Sequence, residues 1–284
     1  MTGKRRIPEL VVEVKGQRLA TEARIKILGV WIDKNLSFIP HVEEVCGKAT
    51  RSMVALGKIM SNIGGARASK RKVMASAAIS ILGYAVEVWQ PALRWGTART
   101  RLDRVLRLAA IRVASAYRTV PTQDIMVVAG IPPAEVLFNG RANGWSEARR
   151  TEEWQSRWLT RVSWTKTLIP DLTEWKDRSH GEVDYHLTQL LTGHGENGVF
   201  LAKIGKRVDE RCRDCGQRDH QGHAAFECQR WAAERAVMET EVGVRLGPHN
   251  LISTMLRDEA SWGAIARYWR VVCSARERDS WSRT

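Results

Sequence analysis

Four side chains of metal-ligating type fall within seventeen residues, and this clustering restricts the chain more than any other feature of it. The stretch from Cys212 to Cys228 reads C-R-D-C-G-Q-R-D-H-Q-G-H-A-A-F-E-C. Cys212, Cys215, His223 and Cys228 give the spacing Cys-x2-Cys-x7-His-x4-Cys. Tetrahedral zinc takes four such nitrogen and sulfur donors, commonly with two from a tight Cys-x2-Cys turn. Gly216 follows the second cysteine, where a chain bending round a metal calls for positive φ. His220 competes for the third position, but a Cys-x2-Cys-x4-His start then expects a cysteine at 225, which is Ala225. The expectation is a structural zinc ion on Cys212, Cys215, His223 and Cys228. With three of five cysteines in one such cluster, a reducing compartment fits better than a disulfide framework. Cys46 and Cys273 read as ordinary buried thiols.

The net charge is +14, and its distribution matters more than its size. Residues 45–122 hold 14 basic side chains and only 2 acidic ones, Glu87 and Asp103, whereas residues 123–284 hold 23 of each. A solvated face keeps a chain soluble without excluding acids. A concentrated positive field attracts a polyanion, either nucleic acid or an anionic surface. Lys48, Arg51, Lys58, Arg67, Lys70, Arg71 and Lys72 are the candidate phosphate contacts. Three cations opening a helix oppose its dipole, a local cost that a bound phosphate offsets. No window approaches 18 uninterrupted apolar residues, so no transmembrane helix is read. The basic N-terminus has no apolar run behind it and does not read as a secretory signal.

Taken in order, the chain reads as mainly α with a short N-terminal β-hairpin, a helical bundle and a small zinc knuckle. Residues 1–39 hold the hairpin, from runs at Leu10–Val14 and Ile25–Ile32, with Lys15-Gly16 as a turn signal. A lone hairpin is marginal in water, so further strands are expected outside this chain. Residues 40–120 hold three helices. The first starts at Pro40, with Glu43 and Glu44 near its positive end and Val42, Val45, Cys46, Ala49, Met53, Leu56 and Met60 as its apolar stripe. The second runs from a Ser69 cap to about Trp89, and the third from about Thr100 to Tyr117. Short joints make these a bundle. Residues 121–204 form a helical connector in which Trp154 and Trp158 pack onto a core. The knuckle occupies 205–232. A helical tail, frayed from Arg276, occupies 233–284. His194, between two glycines, suits a turn. No nucleophile motif supports a hydrolase built on Cys273 or a serine.

Several longer words add a resemblance. They are I-L-G-V-W-I-D-K-N-L-S-F-I-P-H-V at 27–42, S-N-I-G-G-A-R-A-S-K-R-K at 61–72 and R-V-A-S-A-Y-R-T-V-P-T at 112–122. A-G-I-P-P at 129–133, L-T-Q-L-L-T-G-H-G at 187–195 and the Cys-Cys-His-Cys loop continue the series. In this order, over about residues 5–231, they resemble the carboxy-terminal part of non-LTR retrotransposon reverse transcriptases, in particular the type-1 insect elements that insert into ribosomal DNA. The resemblance implies that 8–32 are the last palm strands with the primer grip. It implies that 40–118 are a thumb tracking the template–primer duplex and 205–230 a zinc knuckle. Ile27 stands where the family usually has Tyr, so no stacking or hydroxyl contact is carried over to it.

Polymerisation needs paired metal-binding carboxylates, in this family a [Phe/Tyr]-Ala-Asp-Asp box. No Asp-Asp pair occurs in the chain. Pro170-Asp171 precedes the zinc loop, whereas the Pro-Asp of a restriction-like nuclease follows it, so that activity is not carried over. The expectation is a nucleic-acid-binding fragment of an RNA-directed DNA polymerase that lacks the catalytic palm and the endonuclease and is inactive alone. The parent performs target-primed reverse transcription in the nucleus. Its Mg²⁺ belongs to the missing palm. The partners are RNA template, target DNA and the remainder of the polyprotein, with no membrane. The alternative is a non-enzymatic zinc-knuckle RNA- or DNA-binding protein derived from a retroelement.

Overall fold

The computed structural model describes residues 11–20 and 22–281. Pro8 and Leu10, at the start of the expected hairpin, and the last three residues of the expected tail lie outside them. Strand β1 (Val11–Val14) pairs antiparallel with β2 (Gln17–Ala20), and β3 (Arg24–Ile27) with β4 (Val30–Asp33). The expected N-terminal antiparallel hairpin is present, but each of the two runs forms its own. Both turns have two central residues at positive φ, Lys15 (51°) with Gly16 (78°) and Leu28 (45°) with Gly29 (90°). Such turns match the twist of the flanking strands. Leu-Gly inside an apolar run is a weak turn signal, so 25–32 reads from sequence as one strand. The second hairpin is tied down at three points. Asp33 accepts the Phe38 N–H at 2.8 Å and the Ser37 hydroxyl at 3.0 Å. The Tyr84 hydroxyl donates to the Leu28 carbonyl at 2.9 Å, and the Trp31 N–H to His41 Nδ1 at 3.4 Å.

Four helices follow: α1 (Ile39–Lys58), α2 (Ala68–Leu82), α3 (Val86–Trp89) and α4 (Gly96–Ala114). Val42, Val45, Cys46, Ala49 and Met53 of α1 are buried, as their helical period requires. Helices α1, α2 and α4 pack on one another as the expected three-helix bundle. Three details differ from expectation. Glu43 and Glu44 lie beyond the first turn of α1 and instead pair with Arg101 at 2.9 Å and Lys48 at 3.2 Å. The N-cap of α2 is Arg67, without a side-chain cap, so Ser69 is already inside the helix. The second helix also breaks at Gly83, where a Cβ would collide with the Arg141 guanidinium. The chain restarts as α3 after Ala85, at φ 50°. The break brings Trp89 into the core, where its ring N–H donates to the Tyr84 carbonyl at 2.8 Å and its ring lies edge-on to Phe138 with centroids 5.3 Å apart.

Shorter helices continue the core: α5 (Thr122–Ala129), α6 (Ala134–Ala142), α7 (Glu147–Leu159), α8 (Trp164–Leu168), α9 (Leu172–Asp177), α10 (Tyr185–Thr192) and α11 (Gly198–Lys203). Trp154 and Trp158 are buried, and Trp158 and Trp175 donate to the carbonyls of Ile169 at 2.7 Å and Val127 at 2.9 Å. Then come α12 (His223–Phe226), α13 (Ala232–Val242), α14 (Leu251–Arg257) and α15 (Glu259–Trp281). Helix α15 packs on α10, α12, α13 and α14. The tail is therefore not frayed at Arg276, which donates to the Glu196 carbonyl at 2.7 Å and pairs with Asp219 at 2.6 Å. One continuous buried cluster runs from Val30 to Cys273.

Arg71 joins the parts of the basic bundle. It is 2% exposed. Its Nε donates to the Ala66 carbonyl at 2.6 Å, its Nη1 to the Arg112 carbonyl at 3.1 Å, and its Nη2 to the Ser61 carbonyl. Removing it leaves these part-buried acceptors without their shared donor. Arg71→Met is expected to cost about 2–4 kcal/mol. Arg71→Lys should recover only part of this, since an ammonium does not reproduce the guanidinium fork. Chemical denaturation measures it, and midpoints equal to wild type would show the fork to be dispensable.

Candidate metal centre and nucleic-acid interface

The knuckle begins with a turn built from backbone hydrogen bonds. The Cys212 N–H donates to the Gln217 carbonyl at 2.6 Å, and the Gly216 N–H to the Cys212 carbonyl at 2.9 Å. Gly216 has φ 75° with open space around a Cβ, so the backbone angle rather than crowding favours glycine there. An antiparallel bridge between Arg211 and Arg218 closes the turn. Helix α12 then presents His223, and the Cys228 N–H donates to the His223 carbonyl at 2.9 Å.

These elements bring the four expected ligands together. One donor atom from each of Cys212, Cys215, His223 and Cys228 lies within 4.8 Å of the others. Cys212 Sγ is 3.8 Å from Cys228 Sγ, and Cys215 Sγ is 3.2 Å from His223 Nε2. A tetrahedron with Zn–S bonds of about 2.3 Å has S–S edges of about 3.8 Å, so the cluster has the right size for zinc. Cys212, His223 and Cys228 are buried and Cys215 half-buried. Burial pushes the Cys228 thiol up to about 12, with Cys212 and Cys215 adding to the rise. A thiolate there therefore needs a cation beside it, and soft sulfur donors with one imidazole suit zinc.

The geometry separates the two histidines. His223 turns Nε2 into the cluster and Nδ1 towards Glu227 Oε2 at 3.5 Å, the arrangement by which a carboxylate orients a ligating imidazole. His220 has both ring nitrogens engaged elsewhere. Its Nε2 is 3.0 Å from Glu227 Oε2, and its Nδ1 accepts the Gly222 N–H at 3.3 Å. His220, His223 and Glu227 also lie within ligand range of one another, but that trio shares His223 with the larger cluster.

Residues with no local sequence signal fasten the knuckle to the core. Asp219, buried between ligands Cys215 and His223 in sequence, accepts the Gly198 N–H at 2.7 Å and the Arg276 guanidinium at 2.6 Å. Burial acts to lower Arg276, but the Asp219 carboxylate, with help from Cys212 and Asp214, outweighs it and holds Arg276 above the usual arginine range. The Tyr268 hydroxyl donates to the Ala225 carbonyl at 2.8 Å, and Arg235 to the Cys228 carbonyl at 3.2 Å.

The candidate phosphate contacts divide. Lys48, Arg51, Lys58, Arg67, Lys70 and Lys72 are exposed, whereas Arg71 is buried and its guanidinium serves backbone carbonyls. A direct surface contact from Arg71 is therefore corrected: the fork lies beneath the surface because the loop before α2 and the end of α4 close over it. Lys48 pairs with Glu44. Arg51, Lys58, Arg67, Lys70 and Lys72 have no hydrogen bond or ion pair through their side chains among the described residues. Other cations of the segment also serve the fold. Arg99 donates to the Leu93 carbonyl at 2.6 Å and Arg107 to the Val120 carbonyl at 2.9 Å.

No family model and no solved structure matches the chain. Curated proteins do. The chain is 22% identical over 287 residues to a retrovirus-related Pol polyprotein from type-1 retrotransposable element R1 2 of Nasonia vitripennis, covering 89% of the chain and 70% of that protein. It is 23% identical over 298 residues to the corresponding R1 4 polyprotein of the same species, covering 92% and 74%. It is 23% identical over 251 residues to the R1 Pol polyprotein of Bradysia coprophila, where 76% of the chain spans 25% of the relative.

Metal analysis is expected to find one zinc per chain, lost in Cys215→Ser and His223→Ala and retained in His220→Ala. Retention in His223→Ala with loss in His220→Ala would reassign the ligand. Chelation should lower the melting temperature, because metal-binding free energy is also folding free energy.

Proposed function

We infer that this chain, a homologue of the Pol polyproteins of type-1 R1 retrotransposable elements, is the nucleic-acid-binding part of such a polyprotein. The observation that carries the reading is the set Arg51, Lys58, Arg67, Lys70 and Lys72. All five reach solvent without a protein partner among the described residues, in a segment that holds only 2 acids. Each phosphate that such cations neutralise releases counterions, which is the main source of sequence-independent affinity. Helices α1 and α2 are the grip of a polymerase thumb on RNA template and target DNA, and the process is target-primed reverse transcription in the nucleus. The zinc knuckle, in a segment with equal numbers of acids and bases, contributes contacts to base edges or to nucleic-acid shape. The remainder of the polyprotein supplies the paired carboxylates and Mg²⁺ of the chemical step, since no Asp-Asp pair occurs in these 284 residues.

The second reading is a retroelement-derived protein that binds RNA or DNA with no polymerase attached. The continuous core from Val30 to Cys273 favours it, because such a core can hold the chain together without a partner. The two readings part on reconstitution. Adding a separately produced R1 catalytic region to the chain raises extension of a primed template under the first reading and leaves it unchanged under the second.

Both readings require binding. Anisotropy with labelled RNA and DNA should give log K falling with log salt at a slope of several units, about 0.7 to 0.9 per phosphate. A flat line would return the basic side chains to a solvated surface. The chain alone, with Mg²⁺ and dNTPs, should not extend a primer, and extension that copurifies with it would overturn the assignment.

A further inference from the structure

An open cleft of about 990 Å³ lies between the start of α2 and the segment that leads into α10. The loop before α2 and its first turn form one wall, residues 176–186 a second, and the first turns of α15 a third. Seven cationic side chains line it against three carboxylates. Three of the cations have counter-charges: Arg270 with Asp184 at 2.7 Å, Arg267 with Glu241 at 2.7 Å and Lys176 with Glu147 at 2.6 Å. Arg67, Arg71, Lys72 and Arg178 have no carboxylate at ion-pair distance among the described residues.

Two of these four are held in fixed positions. Arg71 is 2% exposed and its fork is satisfied only by carbonyls, so its hydrogen bonds are made but its charge is not balanced. Arg178 lies 4.1 Å from the Trp175 ring centroid and 5.7 Å from that of Trp262, and it donates to the carbonyls of Gly181 at 3.4 Å and of Trp175. Burial lowers Arg178 to about 10. Lys72 reaches solvent, but the walls crowded round it lower its ammonium, the charge of Arg178 lowers it further, and Glu182 opposes this less strongly. Cations withdrawn from water beside one another are costly without an anion. The wall that carries Arg178 is pre-formed. Gly181, at φ 80°, lies directly against the Trp262 ring, Trp175 stacks on Trp262 at 6.0 Å, and His180 Nε2 meets the Met255 carbonyl at 3.1 Å.

We propose that this cleft holds a short run of a single nucleic-acid strand by its phosphodiester backbone, with Lys72 and Arg178 as phosphate contacts and Arg71 as a fixed charge beneath them. Its volume is near the top of the range of about 300–1,000 Å³ for sites that enclose a small ligand, which suits a few nucleotides and not a duplex. The proposal rests on the nucleic-acid-binding function and deepens it. It adds Arg178, outside the basic segment, and gives Arg71 an electrostatic role in place of a direct contact.

The test uses the zinc-loaded full chain with an eight-residue oligouridylate and with a hairpin duplex RNA. Lysine acylation read by mass spectrometry should show Lys72 protected by the oligouridylate, while Lys34, exposed and outside the cleft, reacts as before. The duplex should leave Lys72 reactive. Lys72→Glu and Arg178→Gln should each weaken oligouridylate binding about tenfold and reduce the salt slope by about 0.7 for each phosphate no longer neutralised. Arg149→Glu, a charge reversal outside the cleft, should change affinity by less than about threefold. Binding with Lys72 equally reactive overturns the cleft and leaves the broader function standing. Protection by the duplex overturns the single-strand assignment. A chain that binds no nucleic acid at all overturns both.

Discussion

A buried guanidinium without a carboxylate is the constraint on which the basic half of the molecule depends. Helix ends leave carbonyls that must find donors, and two segments, the loop between α1 and α2 and the last turn of α4, present such carbonyls to one point. Arg71 answers the carbonyls of Ser61, Ala66 and Arg112 together. The loop after α1, the start of α2 and the end of α4 are thereby fixed relative to one another. The directions of Arg67, Lys70 and Lys72 follow, since all three lie within a turn or so of the anchored residue. The same side chain that settles the backbone leaves its positive charge uncompensated, so the scaffold itself adds to the field its surface presents.

The other half is organised round a different buried charge. Asp219 lies in the same loop as the metal ligands, and its partner Arg276 lies on α15. Removing Asp219 leaves the Arg276 guanidinium without its carboxylate. Removing Arg276 leaves the buried Asp219, among the described residues, only the Gly198 N–H and a longer contact to Arg207 at 3.9 Å. Breaking the pair therefore costs more than the pair itself contributes. The Cys-Cys-His-Cys cluster and the ion pair thus both constrain one short stretch of backbone. Helix α15, with 23 residues, is about 35 Å long. It reaches from Trp262, at the wall of the cationic cleft, to Arg276, at the knuckle. A helix packed along its length on α10, α13 and α14 holds these two places in a fixed relation.

How much of this can be read from sequence depends on how local each feature is. The metal cluster is legible because its four ligands and its turn glycine are contiguous, and the spacing to Cys228 separates His223 from His220. The stripe of α1 and the burial of Trp154 and Trp158 are legible because period-3.6 patterns report a buried face. What escapes is set by distant residues. At the break, a Cβ on residue 83 would meet the guanidinium of Arg141, which lies 58 positions later. The doubled hairpin turns on Leu28 at positive φ, a conformation that its residue type does not advertise. Arg71 reads from sequence as one cation among three in a row, and only the convergence of remote carbonyls makes it structural. Asp219 and Arg276 are 57 positions apart and carry no motif.

Charge balance and charge pairing are separate properties, and their difference gives the molecule an electrical direction. The carboxy-terminal half is neutral in composition and also paired in space, through Arg218 with Glu210 at 2.9 Å, Arg230 with Asp279 at 3.2 Å and Arg267 with Glu241 at 2.7 Å. Exposed pairs of this kind contribute little stability each. Their effect is to cancel the local field. In the basic half the exposed cations of α1 and α2 mostly have nothing to cancel them, because residues 45–122 contain only Glu87 and Asp103 as acids, and Glu43 and Glu44 of α1 are taken by Arg101 and Lys48. A polyanion approaching such a molecule is drawn to the bundle by a field that acts over about 10 Å at 0.1 M salt. In the proposed function, the knuckle, lying outside that field's source, discriminates by contact. On that proposal affinity and selectivity divide between the two halves, and α15 links the wall of the cleft to the knuckle.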